Sequence, residues 1–165
     1  MPRIVLDTDF LSAFLKIGRM DLIRTLYQVE NVQIPPAVYR EVAQTTLLPR
    51  LAKLSWVQVS VPDADVLTRL TGQEGFQALG AGERECIALA LGQPDAVLMM
   101  NDNKARQVAA QYGLTVINIP AFLLACKWAS ILDQADLETL IDDLQEKDHY
   151  GFRPEVLAML LDSGT

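Results

Sequence analysis

Short apolar runs alternating with longer helical patterns predict a three-layer α/β/α fold around a central parallel sheet of about five strands. Three observations carry that expectation. Apolar segments at about 3–6, 32–34, 57–60, 96–100 and 115–117 have the length and composition of strands. The stretches between them repeat apolar residues at i, i+3, i+4 spacing. The central segments, Ile4-Val5-Leu6 and Ala96-Val97-Leu98-Met99-Met100, are apolar without interruption, as strands covered on both faces must be. The chain has 165 residues, enough for one domain with its own core, and no repeat or low-complexity tract divides it. Residues 1–165 therefore read as a single domain.

The elements follow in order. The first strand runs Arg3-Ile4-Val5-Leu6 into Asp7. Leu11, Phe14 and Leu15, then Leu22, Ile23 and Leu26, mark two helices with Gly18 between them. The first helix spans Asp9–Ile17, with either Asp7 or Asp9 available as its N-cap. After Val32-Gln33-Ile34, Pro35-Pro36 opens another helix, proline being suited to a first turn. Beyond the third strand, Leu70-Thr71-Gly72-Gln73-Glu74-Gly75-Phe76 reads as a flexible loop bordering Glu83. Ala81 to Leu91 is helical and ends near Gly92, and Asn103 to Tyr112 is helical until Gly113. Ala121 to Trp128 reads as a buried helix. Leu137, Leu140, Ile141 and Leu144 form an amphipathic stripe, and a last helix runs from about Pro154 to Leu161.

Composition removes several classes of function. Cys86 and Cys126 sit in apolar helical contexts and read as buried free thiols. With two cysteines and one histidine, a structural zinc site has no ligand set. His149, in Lys147-Asp148-His149-Tyr150-Gly151, reads as part of a polar loop and supports no Ser-His-Asp or Cys-His mechanism. No apolar run is long enough to span a membrane, and the start has no signal-peptide pattern, so the expected compartment is the cytoplasm. The net charge of −7 argues against a protein that coats nucleic acid in general. Nine of the acids fall in residues 133–162, where a solvated helix face accounts for them. The helices carrying Phe10, Phe14 and Leu22 offer either core or a homodimer surface.

Four acids stand where strand gives way to helix or loop: Asp7, Glu41, Glu83 and Asp102. In an open parallel sheet, ligands bind beyond the carboxyl ends of the strands, and Asp7 and Asp102 fall at such ends. Carboxylates brought together repel one another unless a hard cation neutralises them. The set therefore points to a Mg²⁺ or Mn²⁺ site of oxygen ligands, open to a phosphate. Taken singly, each acid has a plainer role: Asp7 and Asp102 as helix caps, Glu83 as a first-turn acid, Glu41 as an exposed partner for Arg40 or Arg50.

Four segments in order resemble the PIN-domain ribonucleases, and more narrowly a VapC-like subgroup often found beside a small antitoxin-like gene. They are Ile4-Val5-Leu6-Asp7-Thr8-Asp9-Phe10-Leu11, Ile34-Pro35-Pro36-Ala37-Val38-Tyr39-Arg40-Glu41-Val42, Gly82-Glu83-Arg84-Glu85-Cys86-Ile87-Ala88-Leu89-Ala90 and Val97-Leu98-Met99-Met100-Asn101-Asp102-Asn103-Lys104-Ala105-Arg106. Phe122-Leu123-Leu124-Ala125-Cys126-Lys127 and Gly151-Phe152-Arg153-Pro154 match the same subgroup. The resemblance implies a PIN-like fold and Mg²⁺- or Mn²⁺-dependent hydrolysis of RNA, with a small antitoxin protein as partner. It implies that Asp7, Glu41, Glu83 and Asp102 are the catalytic, metal-holding acids, with Thr8, Asp9 and Asn101 around them. Glu83 is preferred to Glu85 because it leaves Ala88 and Ala90 at the family's small-residue positions. Arg40, Arg84, Lys104 and Arg106 are candidates for the RNA phosphates. One departure stands out: the subgroup has two adjacent aspartates after the fourth strand, and here the first is Asn101.

Two other readings compete. One is a PIN-like module that binds without turnover, which Asn101 and the acidic balance favour. The other is a haloacid-dehalogenase-type phosphatase, which Asp7-Thr8-Asp9 resembles. In that family a glycine-threonine follows, where this chain has Phe10-Leu11.

Overall fold

The computed structural model describes residues 1–162. Its elements are β1 (Arg3–Leu6), α1 (Thr8–Ile17), α2 (Asp21–Tyr27), β2 (Val32–Ile34), α3 (Pro36–Ala43), α4 (Leu48–Ala52), β3 (Val57–Val59), α5 (Ala64–Thr71), α6 (Ala81–Leu91), β4 (Ala96–Met99), α7 (Asn103–Gln111), β5 (Thr115–Ile117), α8 (Ile119–Trp128), α9 (Gln134–Lys147) and α10 (Pro154–Leu161). The five strands form one sheet in the order β3-β2-β1-β4-β5, all parallel. Helices flank the sheet, giving the three-layer α/β/α arrangement. The chain leaves β1 towards β2 on one side and reaches β4 on the other. The strand order therefore reverses between β1 and β4, and the crevice at their carboxyl ends is the switch point of the fold.

The core explains the sequence pattern. Ile4, Val5 and Leu6 of β1, and Leu98 and Met99 of β4, are almost wholly excluded from solvent. Phe10 stacks on Phe14 with ring centroids 4.9 Å apart, and Phe122 of α8 meets both edge-on at 5.6 and 5.4 Å. Such geometry adds about 0.5–1.5 kcal/mol per pair to the gain from burying the rings. Phe10, Phe14 and Leu22 are therefore core. Cys86 and Cys126 are buried free thiols. The acids of α9 lie mostly on its exposed side, Glu138, Asp142 and Glu146 among them, opposite the buried stripe Leu137, Leu140, Ile141 and Leu144.

Two expectations need correction. Asp9 does not cap α1: the helix begins at Thr8 and Asp7 is its cap, which puts Asp9 inside the first turn. The backbone at Asp7 is extended while Thr8 is already helical, so only Asp7 has the geometry of a cap. The segment read as a loose loop is pinned at both ends, since Leu70 is buried in the last turn of α5 and Phe76 is fully buried. Burying Phe76 outweighs the freedom that Gly72 and Gly75 would give the chain. Two helices, α4 and α5, were not foreseen. Gly18 does separate α1 from α2, at φ +68°, where its N–H bonds the Leu15 carbonyl.

Candidate active site

The site grows from the ends of β1 and β4. The Asp7 N–H donates to the Met99 carbonyl at 3.0 Å, which holds Asp7 in the sheet. Its side chain turns back to accept from the Phe10 N–H at 2.8 Å. Asp7 is 2% exposed, the one buried charged residue among those described. Burial pushes its carboxyl up to about 7, and the Asp9 and Glu83 carboxylates add to that push. The N–H groups of Phe10 and Asn101 act the other way. Across the switch point Asp102 caps α7, accepting from the Ala105 N–H at 2.9 Å.

Two further acids come from α3 and α6. Glu83 accepts from the Gly80 N–H at 2.9 Å, so the first turn of α6 fixes it. Its carboxyl is raised by burial and by Asp102, Asp9 and Glu41. Glu41 accepts the Thr8 hydroxyl at 2.5 Å. It pairs with neither arginine that sequence offered it. Arg40 lies 3.6 Å from Glu85, and Arg50 donates to the Leu15 and Lys16 carbonyls at the end of α1. Glu85 also accepts the Ala37 N–H at 3.2 Å, which turns it onto α3.

Asp7, Thr8, Asp9, Glu41, Glu83 and Asp102 line one cavity of about 280 Å³, with Gly80 and Gly82 as its remaining wall. Five carboxylates face it and no lysine, arginine or histidine does. Asp9 is likewise raised, by burial and then by Asp102, Asp148 and Glu41. An oxygen-only wall with this charge has the donor chemistry of a site for a hard divalent cation. The carboxylates do not meet at a point, however: among the described residues no three acidic, histidine or cysteine side chains converge tightly enough to hold a metal ion. Without a cation, like charges gain by standing apart.

Gly82 has a role that motif reading overlooked. A Cβ there would lie 3.0 Å from Glu41 Oε1 and 3.2 Å from Thr8 Oγ1. Its lack of a side chain lets α6 approach α3 and α1 and leaves the cavity open. The signal was present in Gly80-Ala81-Gly82-Glu83, as a small residue directly before the acid.

The remaining candidates lie elsewhere. The Asn101 side chain faces away from the acids: its Oδ1 accepts the Ile119 N–H at 3.3 Å and the Tyr150 hydroxyl at 3.1 Å. Arg40, Arg84 and Lys104 do not line the acidic cavity. Arg106 lines a larger neighbouring groove that Asp9 joins to it. His149 and Tyr150, read as an idle polar loop, also line that groove.

An all-parallel sheet with an oxygen-lined cavity at its switch point defines an architecture suited to phosphate-ester hydrolysis. The PIN-domain family model matches residues 3–163, and the chain belongs to the PIN-domain family. PIN domains are usually nucleases and generally use divalent metal ions. No curated protein matches the chain. Membership of the PIN-domain family leaves the phosphatase reading without support.

Proposed function

We propose that this chain is a Mg²⁺- or Mn²⁺-dependent endoribonuclease in which Asp7, Glu41, Glu83 and Asp102 hold the metal. The observation that carries the reading is the single cavity at the switch point, faced by these four acids and Asp9 and lined by no lysine, arginine or histidine. A bound divalent ion would lower the pKa of a water and offset charge building on the phosphate. The protein's part is orientation. Two backbone N–H groups fix Asp7, the Gly80 N–H fixes Glu83, and Thr8 fixes Glu41. Thr8 gives its proton to Glu41, so its oxygen is left as an acceptor that can orient an attacking water. The raised carboxyls of Asp7, Asp9 and Glu83 retain protons more readily than ordinary acids, and a cation entering the cavity displaces them.

Cleavage of single-stranded RNA should be lost in excess chelator and restored by Mg²⁺ or Mn²⁺, with no requirement for zinc. Robust cleavage in chelator, by protein free of contaminating nuclease, sinks the reading. A second reading, a PIN fold that binds RNA without turnover, draws on one observation, the separation of the carboxylates. It predicts no heat of Mn²⁺ binding in calorimetry at neutral pH. The resemblance to the VapC-like subgroup extends the first reading to a toxin-like protein with a small antitoxin partner. Co-purification with the product of a short adjacent open reading frame, and relief of growth arrest by it, tests that extension.

A further inference from the structure

The groove beside the acidic cavity carries chemistry that hydrolysis itself does not use. It encloses about 740 Å³, and Asp9 lines both it and the acidic cavity, so the two adjoin at that residue. Three fixed cations face it, Lys16, Arg106 and Arg153, against two carboxylates, Asp9 and Asp148. Lys16 is neutralised by Asp148 at 2.8 Å. Neither Arg106 nor Arg153 enters an ion pair among the described residues. Arg106 Nη2 donates to Asn103, while its Nε is buried without a hydrogen-bond partner. The Arg106 guanidinium lines the groove with no carboxylate paired to it, so its charge is available to an anion. In a chain of net charge −7, this is a local site for an anion.

The groove also has an aromatic wall. Tyr150 and Phe152 stand edge to face at 4.7 Å, both partly exposed and both lining it. The Tyr150 hydroxyl is anchored on Asn101, two residues past the end of β4 and directly before Asp102. The ring is thereby tied to the edge of the sheet that carries the acids. Unpaired cations beside aromatic faces are what a single-stranded polynucleotide needs: phosphates on arginine and bases on rings. A peptide would ask for hydrogen-bonding backbone or apolar pockets, which the cationic side chains lining the groove do not favour.

From this we propose that the groove is a nucleotide subsite. It takes the single-stranded RNA unit next to the scissile phosphate, with Arg106 and Arg153 on its phosphate and the base against Tyr150 and Phe152. The subsite rests on the ribonuclease reading for its substrate, but its binding is separable from turnover.

The test is fluorescence anisotropy of a short labelled single-stranded RNA with the full chain in chelator at low salt, so that no cleavage intervenes. Arg106→Ala and Phe152→Ala should each weaken binding about tenfold, in the range expected for a lost phosphate or stacking contact. Arg153→Ala is a safe companion, because Arg153 is exposed and makes no side-chain cap on α10. Phe152→Trp should restore the binding that Phe152→Ala loses, which a merely structural role for the ring would not allow. Each arginine variant should also flatten the salt dependence by about one unit of slope. In metal, these variants should raise KM and largely keep kcat. RNA that binds the wild-type chain no better than these variants, or not at all, overturns the subsite. If the protein cleaves RNA and the variants bind unchanged, the subsite falls and the nuclease reading stands. If the protein never cleaves but the variants lose binding, the subsite stands and the nuclease reading falls.

Discussion

Asp7 joins structure and chemistry in one side chain. It caps α1, lies in the interior, and belongs to the acid set. Its carboxyl titrates near 7 in the folded chain against 3.8 for an ordinary aspartate. As pH rises through that window the unfolded chain gives up the proton while the folded chain keeps it, so the folded state is progressively penalised until pH passes 7. Asp7→Asn keeps a capping oxygen, since asparagine caps as well as aspartate, and removes the penalty. Melting curves in chelator from pH 5 to pH 8 should show Asp7→Asn gaining on the wild type as pH rises. Parallel curves would mean that Asp7 is ionised throughout. Asn101 yields the opposite kind of prediction. Sequence alone invited the idea that Asn101→Asp would add a metal ligand, but its carbonyl serves Ile119 and Tyr150. Calorimetric Mn²⁺ titration should therefore give nearly equal affinities for wild type and Asn101→Asp, and a clear tightening would put position 101 in the metal's shell.

At the scale of elements, α6 decides the shape of the cavity. Gly82→Ala should favour the helix by up to about 1 kcal/mol, because alanine is the better helix former. The same Cβ would press on Glu41 and Thr8. The expected signature is a melting temperature equal to or above wild type together with RNA cleavage reduced about tenfold, as a displaced catalytic group would produce. Unchanged cleavage would show that Glu41 can yield without consequence. The sheet, the long helices and the acids at the strand exits were legible because buried parallel strands and amphipathic stripes write themselves into local periodicity. The helix α4 has five residues, too short to show a period. The helix α5 did leave a trace, in Asp63 as cap and Val66, Leu67 and Leu70 as stripe, but the glycines after it masked its end. Which acid caps α1 could not be read, since Asp7 and Asp9 are equally able chemically and only the backbone conformation chooses. Arg106 and the segment Gly151-Phe152-Arg153-Pro154 stood out singly, but nothing local showed that they line one groove. Asn101 and Tyr150 meet across the fold, and only tertiary packing joins them.

For the whole molecule, the acidic cavity is a cost that the sheet topology imposes and a cation would lift. The strand order places the ends of β1 and β4 side by side, and Asp7 and Asp102 with them. Mn²⁺ should raise the melting temperature of the wild type, and more at pH 8 than at pH 5, where Asp7 holds its proton. No comparable rise is expected for Asp7→Asn or Asp102→Asn, and an equal rise in all three proteins would place the metal elsewhere. The central claim is that these acids hydrolyse RNA, and cleavage by the Asp102→Asn protein tests it most directly. Asparagine retains the cap on α7, so the fold should survive with a melting temperature in chelator no lower than wild type. Under Mn²⁺, with single-stranded RNA in excess, the account predicts cleavage by the wild type and its abolition in this variant. Wild-type cleavage rates from a correctly folded Asp102→Asn protein would contradict it.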